Sequence, residues 1–233
     1  MILTSEEWEI VRLSLEVAFL ASLLCLPFAI ATAWLLARTQ FFGKSIINAI
    51  VHAPLVLPPV VVGYLLLLLL GTRGLIGHWL LANFDIRFVF TTKGAVLATA
   101  VMAFPLVVRG VLLSLTAIDE GLELAGRTLG ASQWDAFCSI TLPLILPGIL
   151  SGSVVGFARA LGEFGATITF ASNIEGQTRT LPLALYTATQ SANGDASAVR
   201  LVIISMTLAL VALGLSDWFE RTLRRMLGFG GPT

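Results

Sequence analysis

Charged side chains make up only 12% of this 233-residue chain, and the two signs cancel at 14 each. A soluble domain carries about a quarter charged residues, so a disordered chain is excluded by the scarcity and a basic nucleic-acid binder by the balance. Two cysteines, Cys25 and Cys138, are too few for a disulfide scaffold. Each lies in an apolar or amphipathic stretch, where a small buried hydrophobe is expected. The two histidines, His52 and His78, stand alone, with no carboxylate or second imidazole at metal-ligand spacing, so no metal site is expected. The chain has no Gly-x-x-x-x-Gly-Lys-Ser/Thr phosphate loop, no Gly-x-Gly-x-x-Gly opening a helix and no context for a catalytic triad. Catalytic residues and a bound cofactor are therefore not expected. What the chain does have is apolar: 57% hydrophobic residues and a mean hydropathy of +0.92. It reads as an integral membrane protein.

About 20 largely apolar residues are needed to cross a bilayer as a helix, at about 1.5 Å each. Uncharged stretches of that order lie between Glu16 and Arg38, Lys44 and Arg73, Lys93 and Ile118 (interrupted at Arg109), Asp135 and Arg159, and Arg200 and Asp217. The expected fold is an all-α bundle of five transmembrane helices. The flank of the first stretch holds Glu6, Glu7, Glu9 and Glu16 against Arg12, the wrong composition for a signal peptide. It is read as a retained span behind a short amphipathic segment at residues 5–12.

An odd number of spans puts the termini on opposite sides. With the N-terminus outside, the inner segments carry Arg38, Lys44, Arg109, Arg127, Arg221, Arg224 and Arg225. The outer ones carry Arg12, Arg73, Arg87, Lys93, Arg159, Arg179 and Arg200, a tie of seven against seven. The short loop from Arg38 to Lys44 and the basic tail favour the N-terminus outside.

Two stretches break the helical pattern. Pro54, Pro58 and Pro59 remove backbone donors from the second span, which must kink or break before Gly63. Such a helix is either simply kinked within a bundle or broken beside a translocation path. Arg159 and Glu163 form an i,i+4 pair near the end of the fourth span. They read either as a structural ion pair or as a cation placed to offset an anion's charge. Gly165, Thr167, Thr169, Ser172 and Asn173 follow with small, neutral, hydrogen-bonding groups that suit a weak oxyanion path. Between spans two and three, residues 74–83 read as a short helix and 86–92 as extended.

Residues 116–143 form the most structured polar segment. Thr116 to Asp119 has capping-box spacing, Glu123 precedes Arg127 by four, and Gly130 can end that helix. Ser132 to Asp135 caps a second helix that places Trp134, Phe137, Cys138 and Thr141 on one side, before Pro143 and Pro147 enter the next span. The result is a two-helix elbow lying along the membrane face.

The spacing of Gly130, Ile140, Leu142 and Pro143 resembles the cytoplasmic loop of ABC importer permeases, Glu-Ala-Ala-x3-Gly-x9-Ile-x-Leu-Pro. Leu124, Ala125 and Gly126 fill its first three places, so the acid is displaced to Glu123, one residue early and about 100° round the helix. Residues 52–66 resemble the second helix of molybdate permeases, and residues 157–174 a segment shared by molybdate and sulfate permeases. The resemblance runs over roughly residues 5–220. It implies a type I importer bundle in one domain over residues 1–233, with a core at about 9–219, a coupling loop at about 116–143 and a cytoplasmic tail at 220–233. It implies that Glu123, Leu124, Ala125, Gly126, Arg127, Thr128, Leu129, Gly130, Ala131, Ser132, Ile140, Leu142 and Pro143 form the coupling loop. Pro58, Pro59, Gly63, Arg159, Glu163, Gly165, Thr167, Thr169, Ser172 and Asn173 become candidates for the path.

The partners implied are a second copy of the chain, two cytoplasmic ATPase subunits holding ATP and Mg, and a periplasmic molybdate-binding protein, all at a bacterial inner membrane. A cytoplasmic loop also breaks the charge tie in favour of an outer N-terminus. Molybdate is the expected cargo, with sulfate or tungstate as alternatives. A stand-alone secondary transporter or channel is the rival reading, but it predicts an internal repeat and a relay of charges within the spans; no repeat is seen, and the central stretches are free of charge apart from the terminal Arg109 and Arg159.

Overall fold

A computed structural model describes residues 4–192 and 194–226, whose regular elements are all helices, with no strand among them. The helices run α1 Ser5–Arg38, α2 Lys44–Val56, α3 Pro59–Leu70, α4 Leu75–Phe84, α5 Thr92–Ala117, α6 Glu120–Thr128 and α7 Gln133–Ala136. A π-turn at Phe137–Thr141 leads into α8 Leu142–Leu161, followed by α9 Gly165–Phe170, α10 Leu181–Thr189 and α11 Asp195–Met226. Among the described residues, α1, α5, α11 and the unit Gln133–Leu161 are each long and apolar enough to cross a membrane. The α2–α3 pair, bent by 118°, passes the same test together: counted as one broken span it makes five, counted as a re-entrant loop it leaves four. The expected short helix between spans two and three is α4, but the segment expected to be extended at 86–92 is a loop that turns at Val89 and Phe90, where Phe90 has φ +61°, and enters α5 at Thr92.

The centre is a close-packed trio of α1, α5 and α8. Ala18, Ala21, Cys25, Ala29 and Ala33 recur every three or four residues along α1, so one face of that helix carries only small side chains. Against it lie Ala100, Ala103, Val107 and Val111 of α5 and Ile145 and Ile149 of α8. Small residues let backbones approach where lipid offers no hydrophobic drive for association. The Cys25 thiol donates to the Ala100 carbonyl at 3.1 Å, which makes this cysteine the buried group expected. Cys138 is instead exposed, because the elbow turns it away from the bundle.

The chain begins differently from expectation. No separate amphipathic segment precedes the first span, since α1 is continuous from Ser5 and is opened by a capping box in which Thr4 and Glu7 bond each other's backbone. The same Glu7 accepts from Arg200 Nε of α11 at 2.6 Å, and Ser14 Oγ accepts the Leu181 N–H of α10 at 2.7 Å. This end of α1 is thereby tied to both C-terminal helices. By contrast, α2 has no buried residue and α11 buries almost nothing, so both turn apolar faces outward.

Candidate functional site

The elbow is assembled by local rules. Asp119 opens α6 by accepting the Gly121 N–H at 2.8 Å. The cap is thus Asp119 and not Thr116, whose hydroxyl donates back to Leu112 and Leu113 because α5 carries on to Ala117. At the other end, Gly130 N–H bonds the Arg127 carbonyl and Ala131 N–H the Gly126 carbonyl, the paired bonds of a Schellman termination. That motif needs a left-handed residue, and Gly130 has φ +98°. Ser132 and Asp135 then form the expected capping box for α7.

The second limb is not a separate helix. Helix α7 passes through the π-turn into α8 without a break, and the Leu142 N–H reaches back to the Phe137 carbonyl. Pro143, which has no N–H to give, follows directly, so the wide turn sits where α-helical bonding would have lost a donor. On the inner side of the elbow, a Cβ on Gly126 would lie 2.6 Å from Ile140 Cδ1, so the smallest residue of α6 faces the π-turn. At the turn, Leu129 is 90% and Trp134 72% exposed, and no atom lies within 4 Å of where a Gly130 Cβ would stand.

Glu123 does not pair with Arg127. Its Oε1 accepts from Arg38 of α1 at 3.2 Å and from the Thr141 hydroxyl at 2.5 Å. Arg38 lies 85 positions away in sequence, and no local spacing rule signals it. A groove of about 820 Å³, lined by Ile30, Trp34, Leu124, Trp134 and Phe137, separates α1 from the elbow beside this contact.

The second group of candidates lies where two helix breaks meet. Helix α2 ends at Val56 with Leu57 as its cap, Pro58 caps α3, and Gly162 closes α8 before α9 starts at Gly165. A Cβ on Gly63 would stand 2.7 Å from the Ala166 carbonyl, and one on Gly165 2.7 Å from Pro59 Cβ. Both helices are therefore glycine at their point of contact, and the second span is broken, not merely kinked.

Glu163 fills the gap between α8 and α9. It is buried, accepts the Ala166 N–H with Oε1 at 2.8 Å, and meets Arg159 with Oε2 at 2.7 Å. The Arg159 side chain remains 29% exposed, so the pair is buried at its acid and open at its base. Of the neutral candidates, Thr167 is buried with its hydroxyl 3.5 Å from that of Thr99, and Thr169 donates to the Gly165 carbonyl. Ser172 has φ +66°, and its carbonyl accepts from Thr178. Asn173 donates to Thr187 at 2.7 Å and accepts from Arg179 at 3.1 Å, while Arg179 also meets Glu175. Arg179 and Thr187 were not among the residues singled out by sequence.

The model of the binding-protein-dependent transport system inner membrane component family matches residues 26–225. The molybdenum transport system permease protein ModB of Escherichia coli (strain K12) is 56% identical over 228 residues, covering 98% of this chain and all of that protein. The sulfate transport system permease protein CysT of the same organism is 34% identical, covering 96% of this chain and 84% of its own. Among solved structures, that of a bacterial ABC transporter involved in import of the polysaccharide alginate superposes with a TM-score of 0.75 at 18% identity. The match covers 94% of this chain and 80% of the other, a likeness of fold. Matched by the family model over residues 26–225 and 56% identical to a relative along its whole length, the chain belongs to the binding-protein-dependent transport system inner membrane components.

Proposed function

We propose that this chain is the permease subunit of a molybdate ABC importer. The observation that carries the reading is the 56% identity to a molybdenum permease along its whole length, against 34% for a sulfate permease. Sulfate and tungstate, dianions of similar shape, are the alternatives. On this reading two copies of the chain enclose the path and two cytoplasmic ATPase subunits hold ATP and Mg. A periplasmic protein delivers the anion, and this chain binds no cofactor of its own. The N-terminus lies outside and the elbow and tail inside, in the bacterial inner membrane.

The exposed apolar faces of α2 and α11 and the open surface around Pro58 are where lipid and the second copy would lie. The elbow, from Glu123 to Ser132 with Ile140, Leu142 and Pro143 behind it, receives the ATPase. The apolar tip at Leu129 and Trp134 supports that role. Closure of the ATPase pair around ATP pushes the two elbows, the bundles rock, and the path opens outward. Hydrolysis reverses the change. The driving free energy comes from ATP binding one state better than the other.

Within the path, Pro58, Pro59, Gly63 and Gly165 hold the two broken helices together, and Glu163 holds Arg159. The guanidinium offers hydrogen-bond donors to a dianion without binding it tightly, because the buried carboxylate already balances its charge. Thr167, Thr169, Ser172 and Asn173 shape the backbone around that point through their internal hydrogen bonds. A weak site suits a path that must release what it accepts.

The test is ATP hydrolysis by the assembled complex with its binding protein. Loaded with molybdate, the binding protein should stimulate hydrolysis; stimulation by sulfate and not by molybdate would move the assignment to the sulfate branch.

A further inference from the structure

Helix α6 is held to the rest of the chain by the short link at Ile118 and Asp119 and by the glycine turn at Gly130. Beside it the groove opens toward α1. Helix α6 packs lightly, on the π-turn through Gly126 and Ile140 and beside α7. One carboxylate adds the tie to α1. Glu123 stands in the middle of α6, and its Oε1 receives both the Arg38 guanidinium of α1 and the Thr141 hydroxyl of the π-turn. The Arg38 side chain is 10% exposed and Thr141 is fully buried, so both donors are held in place by packing.

We propose that Arg38, Glu123 and Thr141 form a clamp that makes the two limbs of the elbow and the end of α1 one rigid body. A push on the elbow is then delivered to the first span, which runs without a break to its ties with Arg200 and Leu181 at the far end. At about 1.5 Å per residue, the 34 residues of α1, with Pro27 inside, span about 50 Å. The inference rests on the proposed role of the elbow. Its residues are positioning residues, since none of them needs to touch the cargo.

The experiment uses the full complex in proteoliposomes and measures molybdate imported per ATP hydrolysed. Arg38→Gln should keep the ATPase subunits bound and basal hydrolysis nearly unchanged while the ratio falls by about five- to tenfold. Thr141→Val should lower the same ratio by a smaller factor. The exchange of charges, Arg38→Glu with Glu123→Arg, should recover at least half of what Arg38→Gln loses. If Arg38→Gln fails to assemble, Thr141→Val and the exchange carry the test. A wild-type ratio in any variant that removes a donor, or no recovery in the exchange, overturns the clamp. Gly130→Val separates this from the underlying reading. If it leaves the ATPase bound and transport coupled, the elbow is not the coupling element. If it uncouples transport while Arg38→Gln does not, the clamp alone falls.

Discussion

Gly165 of α9 lies so close to Pro59 of α3 that a Cβ on the glycine would stand 2.7 Å from the proline Cβ. The starts of two helices, each produced by a break in a span, are thus in contact through the smallest side chain available. Gly63 repeats the arrangement one turn along, against Ala166 and Thr169.

Gly165→Val should separate α3 from α9. Overpacking of this kind costs about 1–3 kcal/mol, and the neighbours here include the Val60 backbone nitrogen at 3.2 Å, which cannot rotate away. A lower melting temperature in detergent together with loss of uptake is the expected result. Unchanged stability would mean that the helices are not packed as described.

The Arg159–Glu163 pair gives an asymmetric prediction. Glu163→Ala removes the acceptor of the Ala166 N–H at the start of α9, a loss of about 1–3 kcal/mol, and leaves a cation that is partly open to solvent. Expression and thermal stability should both fall. Arg159→Ala leaves the buried Glu163 carboxylate without its cation, the costlier loss at about 3–5 kcal/mol. It should slow uptake even more than it lowers expression. Equal losses in the two measurements would mark the pair as structural only.

Gly130→Val places a β-branched residue at φ +98°, where L-residues are strained by about 1–2 kcal/mol. Space is not the difficulty, since nothing lies within 4 Å of the added carbon. The Schellman bonds should open and the tip should shift. Membrane insertion is expected to persist while stimulation of the ATPase is lost. Normal stimulation in this variant would contradict the assignment of the elbow.

The two cysteines report orientation without any substitution. Cys138 is exposed in the elbow and Cys25 is buried in the helix trio. A membrane-impermeant maleimide should label Cys138 in inverted vesicles, leave it unlabelled in right-side-out ones, and spare Cys25 in both. Labelling of Cys138 from the outside would reverse the topology.

Much of this was legible in the sequence because the physics is local. Charge gaps marked the spans, since a charge within the bilayer is costly. Pro58 and Pro59 marked the break, and Gly130 and Ser132 marked the two ends of the elbow. What escaped is either long-range or competitive. Glu123 had a plausible partner four residues away in Arg127 and took Arg38, 85 residues distant, instead. Thr116 lost the capping role to Asp119 because α5 runs one turn further than the spacing suggested. Cys138 fell in an amphipathic stretch and took the open face. At the broken helices, sequence pointed to small polar residues as a path lining. Several of them are already hydrogen-bonded within the protein, and Arg179 and Thr187 emerged only through their bonds to Asn173.

The most direct test is uptake of labelled molybdate into proteoliposomes holding the chain, its ATPase and its binding protein, with ATP supplied only on the elbow side. Accumulation that requires ATP on that side, requires the binding protein and is not displaced by equimolar sulfate is the predicted result. ATP-independent uptake, or uptake by the chain alone, would contradict it.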